Sequence, residues 1–224
     1  MKAIIFDTET TGLIEPEVIE MAWIEVEDYH LDTPVRSASF RFNPSKPIEL
    51  GALATHNILP SELEGFAASN TAIKELPSDL TYLIGHNIDY DWGVMGKPAV
   101  KRICTQALSR AVWPDLDSHR QIALYYHIMG ATDETRQTLR DAHSALADVK
   151  VCHRLLKEIC HKLQITSLEA LWKASEAARI PTKMTFGKHK GKLISQVDKG
   201  WVKWYRQQPD TDPYLLLAFS KAGL

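Results

Sequence analysis

Asp7 and Glu9 stand two residues apart where the apolar run Ala3–Phe6 gives out, in the stretch KAIIFDTETTGL. Side chains alternate along a strand, so both carboxylates project to one side and Thr8 to the other. Two acids this close at the mouth of a buried strand repel each other and lose hydration. They call for a cation between them or a shared proton. Taken alone, the pair is equally consistent with two side chains reaching water as the strand leaves for a loop.

A third acid, Asp148, interrupts a stripe formed by Ala145, Cys152, Leu155, Leu156 and Ile159 at helical spacing. A carboxylate there needs a cation or hydrogen-bond donors, although the positive end of a helix dipole also favours it near a helix start. With Ser144 as N-cap, His143 falls on the loop just before that helix and Asp148 about one turn inside it. In the middle of the chain, HNIDYD offers two aspartates. Helical counting aligns Asp91 with Val94 and Met95, and Asp89 with Trp92 and Gly93, so Asp91 is the inward one. Four carboxylates on three elements suit two hard cations, Mg²⁺ or Mn²⁺. Held about 3.5–4 Å apart, such ions stabilise the attacking and leaving oxygens of an in-line phosphoryl displacement. His143, whose ordinary pKa is about 6.5, is suited to take the proton of the attacking water. No Cys or Ser nucleophile constellation competes.

The elements that must position these residues follow from the hydrophobic pattern. Ala3–Phe6, Val18–Val26, Val35–Phe42, Thr81–Ile84 and Ile103–Cys104 read as strands. The short links among the first three favour antiparallel neighbours. Residues 48–59 read as a short helix and turn, and 63–76 as a helix with frayed ends. Further helices are expected over 88–96, from Cys104 to about Trp113, over 118–129 with Gly130 as the stop, and from Ser144 through Leu163. Early strands followed by strand–helix alternation predict a mixed sheet covered by helices on both faces.

The bulk composition, 45% hydrophobic and 24% charged with a formal net charge of -2, is that of a globular protein and excludes a wholly basic binder. Its distribution is uneven: residues 166–224 carry ten Lys and Arg against five Asp and Glu, or +5, which leaves -7 for residues 1–165. No run reaches the roughly 20 apolar residues of a membrane span, and the start lacks a signal-peptide core, so a cytoplasmic setting is expected. Cys104, Cys152 and Cys160 read as reduced, buried thiols. The Cys152-His153 and Cys160-His161 pairs are about 12 Å apart along a helix and cannot close on one zinc ion.

DTETTGL, HNIDYD and HSALAD, in that order, resemble the three exonuclease motifs of the DnaQ-like (DEDDh) 3′→5′ exonucleases. The likeness runs from about Ala3 to the end of the long helix. It implies an RNase H-like α/β fold with a mixed five-stranded sheet flanked by helices. It also implies removal of nucleoside 5′-monophosphates from a 3′ end, with Asp7, Glu9, Asp91 and Asp148 holding two Mg²⁺ or Mn²⁺ ions and His143 as general base. Substrate contacts are implied around Thr10, Gly12 and Leu13, at Asn87, and at His56 in GALATHNI; Tyr90 stands where the family has Phe.

Residues 1–165 are thus expected to form the exonuclease domain, with a joint at 163–166 and a small, basic, mainly helical module over 166–224. Thr166 and Glu169 resemble a capping box opening a helix to about Ala178. FGKHKGK, from Phe186 to Lys192, is not a Walker loop, since its glycines are too close and Leu193 stands where Ser or Thr is required. It is instead a glycine-flexed basic turn whose Lys188, Lys190 and Lys192 suit salt-sensitive phosphate contact. Trp201, Trp204 and Tyr205 recur at helical spacing and suit a small core or base stacking. The tail resembles that of a DNA-degrading branch of the family, which narrows the expected partner to DNA, with no membrane and no organic cofactor. The alternatives are an RNA 3′ trimmer and a catalytically idle nucleic-acid-binding adaptor.

Overall fold

The computed structural model describes residues 2–27, 30–140, 144–209 and 211–224. Five strands, β1 (Lys2–Thr10), β2 (Val18–Glu27), β3 (His30–Arg41), β4 (Leu80–Gly85) and β5 (Lys101–Cys104), form one sheet in the order β3-β2-β1-β4-β5. β1 is central, antiparallel to β2 and parallel to β4, and β4 is parallel to β5. The expected mixed five-stranded sheet is therefore present. Pro34 is tolerated in β3 because an edge strand can spare a ladder donor, and the β2–β3 register slips beside it.

The helices are α1 (Leu50–His56), α2 (Asp89–Val94), α3 (Thr105–Val112), α4 (Gln121–Met129), α5 (Asp133–Arg140), α6 (Ala145–Leu163), α7 (Leu168–Ala178), α8 (Lys199–Tyr205) and α9 (Pro213–Lys221). The long α6 packs on β1, β2 and β3. Its stripe of Ala145, Cys152, Leu155, Leu156 and Ile159 is buried, and Ser144 caps it by accepting from the Ala147 N–H at 3.4 Å. The three cysteines are buried free thiols.

Three expectations differ from the structure. Residues 63–76 form no α-helix: 3₁₀ turns at Pro60–Glu62 and Ser69–Glu75 flank Gly65, whose φ of +83° leaves the helical region. α5 was not expected, because DETRQTLR is almost wholly polar and buries only Thr135 and Leu139. α7 is capped by Ser167, which accepts from the Ala170 N–H at 3.3 Å, rather than by Thr166.

The chain divides into two compact units, Met1–Ser175 and Glu176–Leu224. The division falls beyond the joint expected at 163–166 because the first part of α7 is tied to the sheet. Glu169 accepts from Tyr82 Oη (2.8 Å) and Lys101 Nζ (2.6 Å), and Ser175 Oγ accepts from the Cys104 N–H (2.9 Å). The second unit has its own core of Met184, Ile194, Val197, Val202, Tyr205, Leu215, Ala218 and Phe219. Among the described residues, no helix is long and apolar enough to cross a membrane.

Candidate active site

β1 extends past its apolar run to Thr10, so Asp7 and Glu9 belong to the strand itself. Thr8 and Thr10 are buried on one face, while Asp7 and Glu9 project from the other. There α6 delivers Asp148, and carboxylate oxygens of Asp7, Glu9 and Asp148 lie within 4.8 Å of one another. Asp148 is steadied by Gln121 at the start of α4, whose Nε2 donates both to its Oδ1 and to its backbone carbonyl, each at 3.0 Å.

Asp91, on α2, is buried, whereas Asp89 lies on the surface and pairs with Arg102. Asp91 is not one of the three acids gathered within 4.8 Å. Its Oδ1 accepts from the Thr8 N–H (3.0 Å) and from Thr8 Oγ1 (2.6 Å). It is nevertheless close enough that, after burial itself, its charge is the strongest influence raising the pKa of Asp7. His143 lies outside the described residues.

Among the described residues, burial and the neighbouring carboxylates raise the pKa values of Asp7 and Glu9. Burial raises the Asp7 pKa well above the ordinary aspartate range, and the charges of Asp91, Asp148, Glu9 and Glu20 push it further. Burial together with Asp148, Glu20 and Asp91 lifts Glu9 to about 8, and burial lifts Asp91 to about 7 against the pull of the Thr8 hydrogen bonds. Glu9 has an ordinary value of 4.5, so between that pH and about 8 the folded state holds a proton that the unfolded state releases. Stability from this site is therefore fully present below pH 4.5 and is lost as pH rises through 8. In chelator, wild type and Glu9→Gln should melt alike near pH 5. By pH 8 wild type should melt several degrees lower, and added Mn²⁺ should restore it; a difference that does not grow with pH would contradict this electrostatic picture.

Glu20 lies outside the three motifs, and its sequence signal is a glutamate inside the apolar strand VIEMAWIEV. It pairs across the sheet with Glu9 on one side and with Arg41 on the other. Almost fully buried, it accepts from Arg41 Nε (3.1 Å) and from the Ala145 N–H (2.8 Å) at the first residue of α6. It thus ties the helix carrying Asp148 to the strand beside Asp7 and Glu9.

Beside the acids opens a cleft of about 390 Å³, lined in part by Glu9, Thr10, Gly12, Leu13, His56 and Tyr90. The Tyr90 hydroxyl lies 2.7 Å from Thr10 Oγ1 and donates to the Gly12 carbonyl at 2.9 Å, a tie that Phe could not make. Gly12 has φ +156°, a backbone conformation that L side chains rarely adopt, and the flexible Glu49 carboxylate fills the space beside its Cα. His56 is buried, its Nδ1 accepts from the Ile58 N–H (2.9 Å), and burial lowers its pKa. Leu13, 79% exposed, stands at the cleft's edge. Asn87 is exposed with φ +66°, the left-handed residue from which the chain turns into α2. His86 is a structural neighbour rather than a base: its ring lies 3.1 Å from Thr105 Oγ1 and 2.9 Å from the His119 carbonyl, and burial lowers its pKa to about 4. Lys188, Lys190 and Lys192 are exposed in the second unit.

No family model matches the chain. Exodeoxyribonuclease 10 of Escherichia coli strain K12 is 29% identical over 206 residues, a span covering 89% of this chain and 88% of the relative. The solved structure of exonuclease X in complex with 5′ overhanging duplex DNA superposes with a TM-score of 0.64 at 25% identity, over 77% of this chain and 99% of that one. The chain is similar to exodeoxyribonuclease 10 in sequence and to exonuclease X in fold. Escherichia coli exonuclease I bound to single-stranded DNA shares the fold, with a TM-score of 0.58 at 17% identity over 77% of this chain and 42% of its own. The exonuclease X likeness spans nearly all of that solved chain, so the acidic cluster lies on a shared scaffold rather than on a chance surface patch.

Proposed function

We propose that the chain is a metal-dependent 3′→5′ exonuclease that shortens DNA and releases nucleoside 5′-monophosphates. One observation carries the reading: β1 and α6 bring oxygens of Asp7, Glu9 and Asp148 within 4.8 Å, beside a cleft that Glu9 also lines. An all-oxygen, anionic donor set fits hard divalent cations, Mg²⁺ or Mn²⁺, with Asp91 as the fourth carboxylate. Two such ions, when bound, supply charge to the reacting phosphate and lower the pKa of the attacking water. The chain's own groups do the rest. Asp7, Glu9, Asp91 and Asp148 hold the ions, while Gln121 and Thr8 keep Asp148 and Asp91 in place. His143, two residues before α6 in the sequence, receives the water's proton.

Thr10, Gly12, Leu13 and His56 surround the terminal nucleotide, Asn87 borders it, and Lys188, Lys190 and Lys192 of the basic C-terminal module contact phosphates. Exodeoxyribonuclease 10 is by name a DNA enzyme, and the exonuclease X and exonuclease I structures are DNA complexes, which supports DNA as the partner. Three buried free thiols fit a reducing, cytoplasmic compartment. Digestion of 5′-labelled DNA with Mg²⁺ or Mn²⁺ should yield a descending ladder of shortened products, and chelator should abolish it. Matched RNA degraded in preference would move the substrate class, and no metal-dependent shortening of either would reject the reading.

A further inference from the structure

The second unit presents a surface that the phosphate-contact reading of its lysines does not use. Within Glu176–Leu224 there are nine Lys and Arg against four Asp and Glu. Two of the acids are occupied at helix ends: Asp198 accepts from the Trp201 N–H (2.9 Å) and Asp212 from the Tyr214 N–H (2.8 Å). Arg179 is turned inward, its side chain 4% exposed. Lys183, Lys188, Lys190, Lys192, Lys199 and Lys203 are exposed. The exposed charge of this unit is therefore predominantly positive.

Among those ammonium groups lies a group of rings centred on Trp201. Trp201 stacks on the core residue Tyr205, with centroids 5.3 Å apart and planes 7° from parallel, which anchors it to the folded unit. Around it stand Trp204 at 5.7 Å, Phe186 at 6.2 Å and His189 at 5.4 Å. Phe186 and Trp204 are 42% and 52% exposed. Single exposed apolar side chains are ordinary surface, but here two large rings meet on one anchored indole. The cations are close at hand: burial lowers the pKa of the His189 ring, and the charges of Lys192 and Lys188 lower it further. Sequence carries the same arrangement, since Phe186 opens the FGKHKGK turn and Lys203 precedes Trp204.

We infer that Phe186, Trp201 and Trp204, rimmed by Lys188, Lys192 and Lys203, form a stacking platform for the unpaired bases of single-stranded DNA. This deepens the nucleic-acid reading of the chain and rests on it. Lysines alone would favour the denser charge of a duplex and would not distinguish paired from unpaired bases. Exposed rings reverse that preference, because a base must leave its partner to lie on them. An acidic protein would satisfy the lysines but leave the ring faces without flat partners.

The test is equilibrium binding of the full chain in chelator, where no hydrolysis occurs, to a fluorescent oligo(dT) and to a blunt duplex of equal length. Oligo(dT) should bind more tightly than the duplex and quench Trp fluorescence. Trp204→Ala should weaken oligo(dT) binding roughly 5- to 100-fold, leaving the salt slope and duplex affinity near wild type. Lys188→Gln with Lys192→Gln should flatten the salt slope for both ligands. Phe186→Ala, at the opposite edge of the platform, gives a second reading should Trp204→Ala melt abnormally. Unchanged oligo(dT) affinity in whichever ring variant keeps a cooperative melt, or equal losses for duplex and single strand, would overturn the platform. Binding is read in chelator and hydrolysis with metal, so a failure here is distinguishable from a failure of the nuclease reading.

Discussion

Asp7→Asn should lower mononucleotide release by on the order of 10³-fold or more while raising the thermal midpoint of the metal-free protein by roughly 2–8 °C at pH 8. The two effects have one cause. Asp7 shares a face of β1 with Glu9, meets Asp148 from α6, and is further raised by the charges of Asp91 and Glu20. In the absence of metal the fold must hold these like charges together, or keep a proton among them, and either costs stability. Asparagine keeps the size and removes one charge, so the metal-free fold gains. The same change removes an anionic donor, so the stabilisation that Mn²⁺ gives to wild type should largely vanish in the variant. Paired melting curves with and without Mn²⁺, run beside the end-labelled digestion, read both. Full activity, or an Mn²⁺ shift equal to wild type, would remove Asp7 from the proposed metal site.

The acids of this cluster were legible in the sequence because each lies on an element whose period is strong. The end of β1 alternates after its buried run, which places Asp7 and Glu9 on one face, and the stripe of α6 is regular enough to make Asp148 conspicuous. Helical counting on HNIDYD likewise separates the buried Asp91 from the exposed Asp89. What the sequence does not disclose is the layer of groups that holds the acids. Gln121 reaches Asp148 from another helix, and Thr8 reaches Asp91 from the far face of β1, contacts that no local period encodes. α5 escapes notice because its two buried residues are too few to make a stripe. In the second unit, spacing marks Trp201, Trp204 and Tyr205 as one group but does not sort them. The structure buries Tyr205 and leaves Trp204 half in water.

Glu20→Ala should impair the enzyme from beneath the site, without removing any of the four proposed ligands. Glu20 is the middle of a row that crosses three strands, Glu9 on β1, Glu20 on β2 and Arg41 on β3. A like charge directly opposite Glu9 is unfavourable in itself. It is tolerated because Arg41 and the Ala145 N–H both donate to it. Alanine relieves a repulsion that Arg41 already offsets. In exchange it leaves a buried N–H without its acceptor, at a cost of about 1–3 kcal/mol. Arg41 retains Glu62 at 3.1 Å and is partly exposed, so its loss is the smaller one. The net expectation is a fall of about 1–3 kcal/mol in stability. It should come with a drop in turnover of up to ~10²-fold, because α6 carries Asp148 and begins where Ala145 is no longer tied down. Glu20→Gln separates positioning from charge: its amide oxygen can still accept from Ala145 while the repulsion with Glu9 disappears. The glutamine variant should therefore recover most of the turnover and bind Mn²⁺ more tightly than the alanine variant, measured by calorimetric titration beside the digestion assay. Wild-type turnover and Mn²⁺ affinity in Glu20→Ala would show that α6 holds Asp148 in place without help from β2.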